Sequence, residues 1–352
     1  MKPYRFGVQH HQAQKSYTGF TTIAPIRHDE SYIVDMAGEV VHAWKLPGQL
    51  GAKAYLIPNG NFLCSVVTEE GAPIRAAKGG HIVELDWNGD VVWEHVDHNQ
   101  HHDLARLENG NTIYLAWEEL AETAIAKVKG GVPNTERDGK IYADVVREVN
   151  QAGEIVWEWR FKDIDFAAYP LAIDCDRGEW AHANAVAPTN DGNVMVSFRH
   201  LDTILIVDRE SKQIIWSHRD DSWGHQHNCE MLPNGNITFF ANGMNNLVQP
   251  LYSRAVELDP GSREVVWQFK DPRQWTFFSP VMGSVQRLEN GNTLICEALS
   301  GRVLEVTQEG EIVWDYVAPM HHYNEIFDSD SNAMFRAYRH ASESPEIAGR
   351  LS

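Results

Sequence analysis

The sequence predicts an all-β chain, a six-bladed β-propeller of four-stranded antiparallel blades, and three observations predict it. A hairpin signature ending in Trp recurs along the chain, an Asn-Gly turn signature alternates with it, and two complementary half-units lie at opposite termini. Repeats at a period of roughly 50 residues are the mark of propeller blades, because one four-stranded unit cannot bury both of its faces alone.

The first signature is a β-branched strand, a polar turn usually carrying Gly, and a second strand. It appears as Ile33–His42, Ile82–Trp93, Val146–Trp157, Leu205–Trp216, Val256–Trp267 and Val303–Trp314, with His42 where the other copies end in Trp. Alternating apolar and polar residues around so short a turn specify a β-hairpin. The second signature is Ile57-Pro-Asn-Gly-Asn61, then Leu107–Asn111, Asn190–Asn193, Leu232–Asn236, Leu288–Asn292 and a degenerate Asp328–Asn332. Asn-Gly suits the positive φ angles of tight hairpin turns. Each is followed by an apolar strand, such as Thr112-Ile-Tyr-Leu-Ala-Trp117 or Val194-Met-Val-Ser-Phe198.

The chain starts with an outer hairpin, Ile33 to Trp44, and ends with an inner one, Tyr323 to Tyr338, which together complete the sixth blade. Such a clasp hides the edges that the first and last strands would otherwise expose. The expected layout is an arm over residues 1–30 packed on the ring's side, one propeller domain over 31–340, and a surface-coil tail over 341–352. The long polar stretch Glu118 to Lys140 is expected as a lid or partner loop, and residues 160–180 as a second large insertion.

Composition narrows the function classes. A formal net charge of −19 over 352 residues argues against nucleic acid and anionic membrane surfaces as partners. The expected partner is a small molecule, and an anionic one needs local positive groups; the oligomeric state is left open. Cys64, Cys175, Cys229 and Cys296 are widely spaced, so buried free thiols are expected rather than disulfides or a zinc knuckle. The N-terminal residues lack an apolar signal core and no run reaches membrane-spanning length, which reads as a cytoplasmic chain.

In a propeller the innermost strands line the central channel, so residues entering those strands meet at one mouth. Counted back from the Asn-Gly turns, the entry positions are Ala52, His101-His102-Asp103, His182-Ala-Asn184, His225-Gln-His227-Asn228, Val281-Met282-Gly283 and His321-His322-Tyr323. Histidine at repeat-equivalent places points to an acid–base or ligand centre, whereas a single histidine would read as an ordinary core or surface residue. Arg199 and Arg254 stand at strand ends in histidine-bearing blades and suit bidentate binding of a sulfate, phosphate or carboxylate. The repeated Trp (Trp93, Trp157, Trp216, Trp267, Trp314) reads as blade-to-blade packing. Trp117, Trp180, Trp223, Trp275 and Phe277-Phe278 fall near the mouth by register, where they wall an aromatic substrate or fill the core.

With these residues in place, the sequence resembles the arylsulfotransferase-like proteins, a six-bladed propeller family. The resemblance runs from Ser31 to Arg339 and rests on His101-His-Asp, His182-Ala-Asn-Ala-Val, Val196-Ser-Phe-Arg, Gly224-His-Gln-His, Tyr252-Ser-Arg-Ala-Val-Glu, Phe278-Ser-Pro and Gln286–Ile295 in that order. It implies a channel histidine that takes a sulfuryl group from one phenolic ester and passes it to another phenol. By that resemblance His182 and His227 are sulfate-binding or acid–base residues, Asn184 or Asn228 a donor and Arg254 the anion clamp. The nucleophile is expected at the start of the fifth inner strand, where Val281-Met282-Gly283 stand instead, leaving His321, His322 or His102 as substitutes.

Three functions follow from this reading. The first is sulfuryl transfer without a cofactor, with His102, His182, His227 and His321 as catalytic residues and Arg199, Arg254, Asn184, Asn228 and Trp180 around the substrate. The second is metal-dependent hydrolase, lyase or redox chemistry, with ligands drawn from His101, His102, His182, His225, His227 and His321, since imidazole suits zinc, copper, iron and nickel. The third is a propeller that binds a partner at its mouth and catalyses nothing.

Overall fold

The computed structural model describes residues 5–245, 251–273 and 276–351. Its six blades are antiparallel sheets in a ring. Blade one is Leu50–Leu56, Phe62–Val67, Gly80–Leu85 and Val91–Val96; blade two is Gln100–Arg106, Thr112–Glu119, Tyr142–Val149 and Ile155–Arg160. Blade three is Ala183–Pro188, Val194–Phe198, Thr203–Val207 and Ile214–Arg219, and blade four is His227–Met231, Ile237–Ala241, Arg254–Asp259 and Glu264–Phe269. Blade five is Ser284–Arg287, Thr293–Glu297, Arg302–Val306 and Ile312–Val317. Blade six joins the termini: Met334–His340 is its innermost strand, followed by Phe20–Pro25, Glu30–Val34 and Val40–Lys45.

The clasp therefore divides one strand against three, and residues 1–30 are more than an arm. Phe20–Pro25 is buried throughout and pairs with both Met334–His340 and Glu30–Val34. Gly7–His11 adds a fifth strand to the outer edge of blade five. Under it Val313 is fully buried, whereas Val92, Val156, Ile215 and Val266, its counterparts in other blades, are each more than half exposed. The tail is not free coil either: Ile347 is fully buried, and Arg350 donates to the Asn59 carbonyl at 2.6 Å.

The two signatures fasten neighbouring blades. In every blade the outer-strand indole donates Nε1–H to a turn carbonyl of the next blade. The six bonds are Trp44 to Asp86, Trp93 to Gln151, Trp157 to Arg209, Trp216 to Pro260, Trp267 to Gln308 and Trp314 to Met36, at 2.8–3.0 Å. Trp44, two residues beyond His42, supplies the sixth. Beside the indoles, the last Asn of the turn donates to a third-strand carboxylate that also binds an arginine of the next blade: Asn61–Glu84–Arg106, Asn111–Glu148–Arg209, Asn236–Glu257–Arg287 and Asn292–Glu305–Arg339. Each of these arginines lies over the indole of its junction. The carboxylates and arginines are largely withdrawn from water, and each charge keeps a partner, as buried charge requires.

All four cysteines are free and buried. No helix among the described residues is long and apolar enough to cross a membrane.

Candidate functional site

At the channel mouth the innermost strands carry bulges. The ladder register slips at residues 51–53, 102–103, 184 and 228, by two residues in blades one and two and by one in blades three and four, which frees residues at the start of each of those strands to turn inward. Together with Ser284 and Arg336, the residues so turned form a closed polar ring across the axis: Lys53, Asp103, Asn184, Asn228, Ser284 and Arg336, all buried. Asp103 accepts from Lys53 at 3.0 Å, from Arg336 at 2.7 Å and from the Val186 amide at 2.8 Å. Asn184 donates to the Gln226 carbonyl, Asn228 accepts from the Val285 amide and Ser284 accepts from the Ala337 amide. Each inner strand is thus tied to another, and the ring forms a polar plug in the channel. Asn184 and Asn228, expected as substrate donors, are engaged in this ring and do not line the cavity.

A cavity of about 280 Å³ lies at the mouth, lined by His102, His182, His227, His200 and Arg199, with Met282, Val281 and Phe335 as an apolar wall. His102, His182 and Met282 hold positive φ angles of 50°, 59° and 60°. Such conformations cost non-glycine residues energy and gather at functional sites.

The imidazoles form one array. His182 meets His102 edge-on at 4.6 Å and stacks on His200 at 4.5 Å between ring centres. Behind His102, His101 lies 2.8 Å away, Nδ1 to Nδ1, and stacks on Trp117. Burial first, and then the positive neighbours, hold His102, His200 and His227 well below the ordinary histidine pKa, so all three are neutral at pH 7. His101 is pushed down to about 3 by burial. The Asp144 carboxyl, 3.4 Å from His101 Nε2, is pushed up to about 7 by burial, so a neutral imidazole faces a carboxyl that is only part-ionised at pH 7.

Two of the cavity histidines are oriented from behind. His227 Nδ1 lies 2.8 Å from Asn242 Oδ1 and 3.0 Å from the His225 carbonyl. Asn242 spends both amide hydrogens on the Ser279 and Met282 carbonyls, each at 2.8 Å, so its oxygen must be the atom facing His227. Two acceptors at Nδ1 place the proton there and leave the Nε2 lone pair free. His182 Nδ1 lies 3.0 Å from Glu179 Oε2. Burial would raise the Glu179 pKa, but His182, with His101 and Arg137 behind it, outweighs burial and brings it to about 2. Glu179 also accepts from the Trp117 indole at 3.2 Å, and Arg137 reaches it from the Glu118–Lys140 loop at 3.7 Å.

Two arginines line the cavity, Arg137 and Arg199. Arg137 is paired with Glu179, whereas the half-buried Arg199 guanidinium has no hydrogen bond or ion pair among the described residues.

The remaining expected residues lie elsewhere. Trp180 is wholly buried between Phe161 and Phe166, with its indole donating to the Tyr169 carbonyl, because the 160–180 insertion folds as a small apolar layer over blades two and three. Arg254 binds Gln268 and Ser222 outside the cavity, since the third strand of a blade stands away from the axis. His321 is exposed against Phe6 and His322 packs on His28, because Met334–His340, not the segment at 321–323, is the innermost strand of blade six. Phe335 takes the place expected for a histidine. His225 is buried behind Arg199 and does not line the cavity. Trp223 and Phe277 are core residues, and Trp275 lies outside the described residues. Among the described residues no three cavity histidines bring ligand atoms within 4.8 Å of one another; Asp174, Cys175 and His225 do.

His200, Glu179, Asn242 and Arg137 are site residues that the sequence reading did not single out. His200 and Glu179 flank the His182 motif and carry a local signal; Asn242 and Arg137 arrive from separate loops and carry none.

Solved structures share the fold. A protein of unknown function from Bacteroides caccae is 13% identical, with 92% of this chain and 99% of that one aligned and a TM-score of 0.58. A streptogramin B lyase is 9% identical, with 95% and 93% covered and a TM-score of 0.51. At these identities the likeness is one of fold alone. No curated protein matches the chain in sequence. The family described as arylsulfotransferase (ASST) matches residues 78–319, from the second half of blade one to the end of blade five, well over half the chain and including most of the cavity-lining residues. The chain belongs to the arylsulfotransferase (ASST) family.

Proposed function

We propose that the cavity binds an aryl sulfate and transfers its sulfuryl group to a phenol through a histidine. The observation that carries this reading is an Arg199 guanidinium, unpaired among the described residues, set beside neutral imidazoles at a small, part-apolar cavity. A guanidinium free of carboxylates suits the planar edge of a sulfate, and a neutral imidazole with its far nitrogen anchored is a competent nucleophile.

His227 is the residue so anchored, and its Nε2 attacks sulfur. The sulfur–aryl oxygen bond breaks, the phenolate leaves with a proton from His182, and an N-sulfohistidine remains. An acceptor phenol then attacks sulfur, its proton returns to His182, and the nitrogen–sulfur bond breaks to restore His227. Glu179, 3.0 Å from His182 Nδ1, holds that ring in place for both proton transfers. Arg199 offsets the negative charge on the transferring group. Met282 and Phe335 make the apolar wall against which an aryl ring packs. This role for His227 answers the absence of histidine at Val281-Met282-Gly283.

Intact-mass analysis after brief exposure to a chromogenic aryl sulfate tests the reading. Addition of one sulfuryl group, labile to acid and lost on adding phenol, is expected in the wild type and absent in His227→Ala. An aryl sulfate that neither binds nor reacts would sink it. A group found on His102 instead would move the nucleophile but leave the reaction class standing.

A further inference from the structure

Behind Arg199, outside the cavity, His225 is met on both ring nitrogens by acceptors. Nδ1 lies 3.0 Å from the Arg199 carbonyl and 3.4 Å from Asp202 Oδ1. Nε2 lies 3.0 Å from Asp174 Oδ2 and 3.9 Å from Cys175 Sγ. With Nδ1–H donated to the carbonyl, the Nε2 lone pair faces a carboxylate lone pair, so a positive charge belongs between them.

We propose that Asp174, Cys175 and His225 bind one zinc ion. Their ligand atoms all lie within 4.8 Å of one another, and no other group of His, Cys, Asp or Glu among the described residues meets that condition. A tetrahedral zinc with ordinary bond lengths sets nitrogen and sulfur roughly 3.6 Å apart and nitrogen and oxygen roughly 3.3 Å apart. The observed 3.9 and 3.0 Å need shifts of only a few tenths of an ångström. One thiolate, one imidazole and one carboxylate is a donor set zinc favours, and three protein ligands leave a fourth position for water. The Arg199 carbonyl and Asp202 provide the support a metal-bound imidazole needs, fixing its tautomer from behind. Asp202 also accepts from the His225 amide at 2.5 Å and from Asn245 at 2.9 Å, so that support is itself held in place.

Binding releases the thiol proton to solvent as the sulfur–zinc bond forms. The ion would join the loop carrying Asp174 and Cys175, between blades two and three, to the entry of blade four. It thereby fixes the backbone that presents Arg199. This site shares only His225 with a channel-histidine metal centre.

Full-length protein is stripped with a chelator, dialysed and titrated with zinc chloride by calorimetry, and in parallel with cobalt chloride by absorption. One equivalent of zinc per chain is expected, with a thiolate-to-cobalt charge-transfer band. Cys175→Ser should remove the band and weaken zinc binding at least 100-fold, and Asp174→Asn, at a half-exposed position, should weaken it about tenfold. The His102→Ala, His227→Ala double variant should bind zinc as the wild type does, and melting curves without metal report whether each variant folds. Absence of stoichiometric zinc, unchanged affinity in Cys175→Ser, or loss of binding in the double variant overturns the proposal. So does a metal-free protein in which Cys175 alkylates faster than in His225→Gln, since the cation between these groups would then be a proton.

Discussion

Replacing Asp103 by Asn isolates the polar ring that closes the channel. The side chains of Asp103, Lys53 and Arg336 are 1%, 8% and 2% exposed, and among the described residues Asp103 is the only anion bonded to either cation. The Asn side chain fills the same space and still accepts from the Val186 amide, but it leaves two cations buried without a counter-charge. Removing one partner of a buried pair costs about 3–5 kcal/mol. Unfolding entropy of about 2.1 cal/mol/K per residue over 352 residues turns that cost into a fall in melting temperature of about 4–7 °C. Burial alone would raise the Asp103 pKa, but Arg336 and Lys53, with the Val186 amide, outweigh it and hold the carboxyl below its ordinary range. The stabilisation is therefore complete above about pH 4, the unfolded carboxyl's pKa, and is lost as pH falls through the lower folded value. Thermal and urea unfolding should accordingly separate wild type from variant at pH 7 and draw them together below about pH 4. Combining Asp103→Leu with Lys53→Met and Arg336→Met should restore most of the loss, since an apolar replacement of matched size removes all three charges at once. A loss under about 1 kcal/mol at pH 7, or a triple variant less stable than Asp103→Asn, would refute the assignment of the ring as a coupled, buried charge network.

Three further outcomes are expected. Arg199→Gln should raise the KM or Kd for an aryl sulfate about 10- to 100-fold, the cost of a charge-assisted hydrogen bond at about 1.5–3 kcal/mol; Arg254→Gln, outside the cavity, should leave it within twofold, and the reverse ranking would move the anion site. Nitrogen-15 NMR of labelled histidine should find His227 neutral from pH 6 to 8 with its proton on Nδ1, and Asn242→Ala should mix the tautomers while lowering turnover at least tenfold; a proton on Nε2 in the wild type contradicts the anchoring described above. Asp144 runs opposite in sign to Asp103: with a folded pKa of about 7, its contribution to stability is present below about pH 4 and lost as pH rises toward 7, so Asp144→Asn should gain stability relative to wild type between pH 5 and pH 8. Melting curves at the two pH values check it, and a constant difference between the proteins rules it out.

The parts of the fold legible in the sequence are those repeated at every blade. Trp93 and its counterparts recur because each makes the same bond to the next blade, so counting copies counts blades, and the last Asn of the turn repeats its bond to a third-strand carboxylate in four of the six. Their repetition also says why the Trp is structural: a residue needed once per junction appears once per junction. The clasp was harder to read. A strand such as Phe20–Pro25, buried on both faces, shows no alternation, so its residues read as an arm, while the hairpin around Tyr323 imitates an inner strand but pairs only within itself as His322–Asn324 with Ser329–Ser331. That single misplacement carried His321 into the expected site and left Phe335 out of it.

The site obeys the opposite rule, and its legibility divides on that ground. His102, His182 and His227 could be found because inner-strand entry is a repeated position, and a residue type unusual there stands out against the other blades. Asn184 and Asn228 occupy the neighbouring repeated position, and by the same logic looked functional, yet that position is the one that ties inner strands across the axis. Repetition locates a position without saying which way its side chain is used. What separates a ligand-facing residue from a stitch is whether its hydrogen-bonding atoms are already spent, and that is a property of partners distant in the chain. Asn228 is spent on Val285; His227, one residue earlier, has one nitrogen spent on Asn242 and the other free among the described residues. Arg199 and Arg254 differ in the same way, one without a partner among those residues and one held by Gln268 and Ser222. Under the proposed sulfuryl transfer, it is the unspent groups, not the repeated ones, at which substrate is expected to bind.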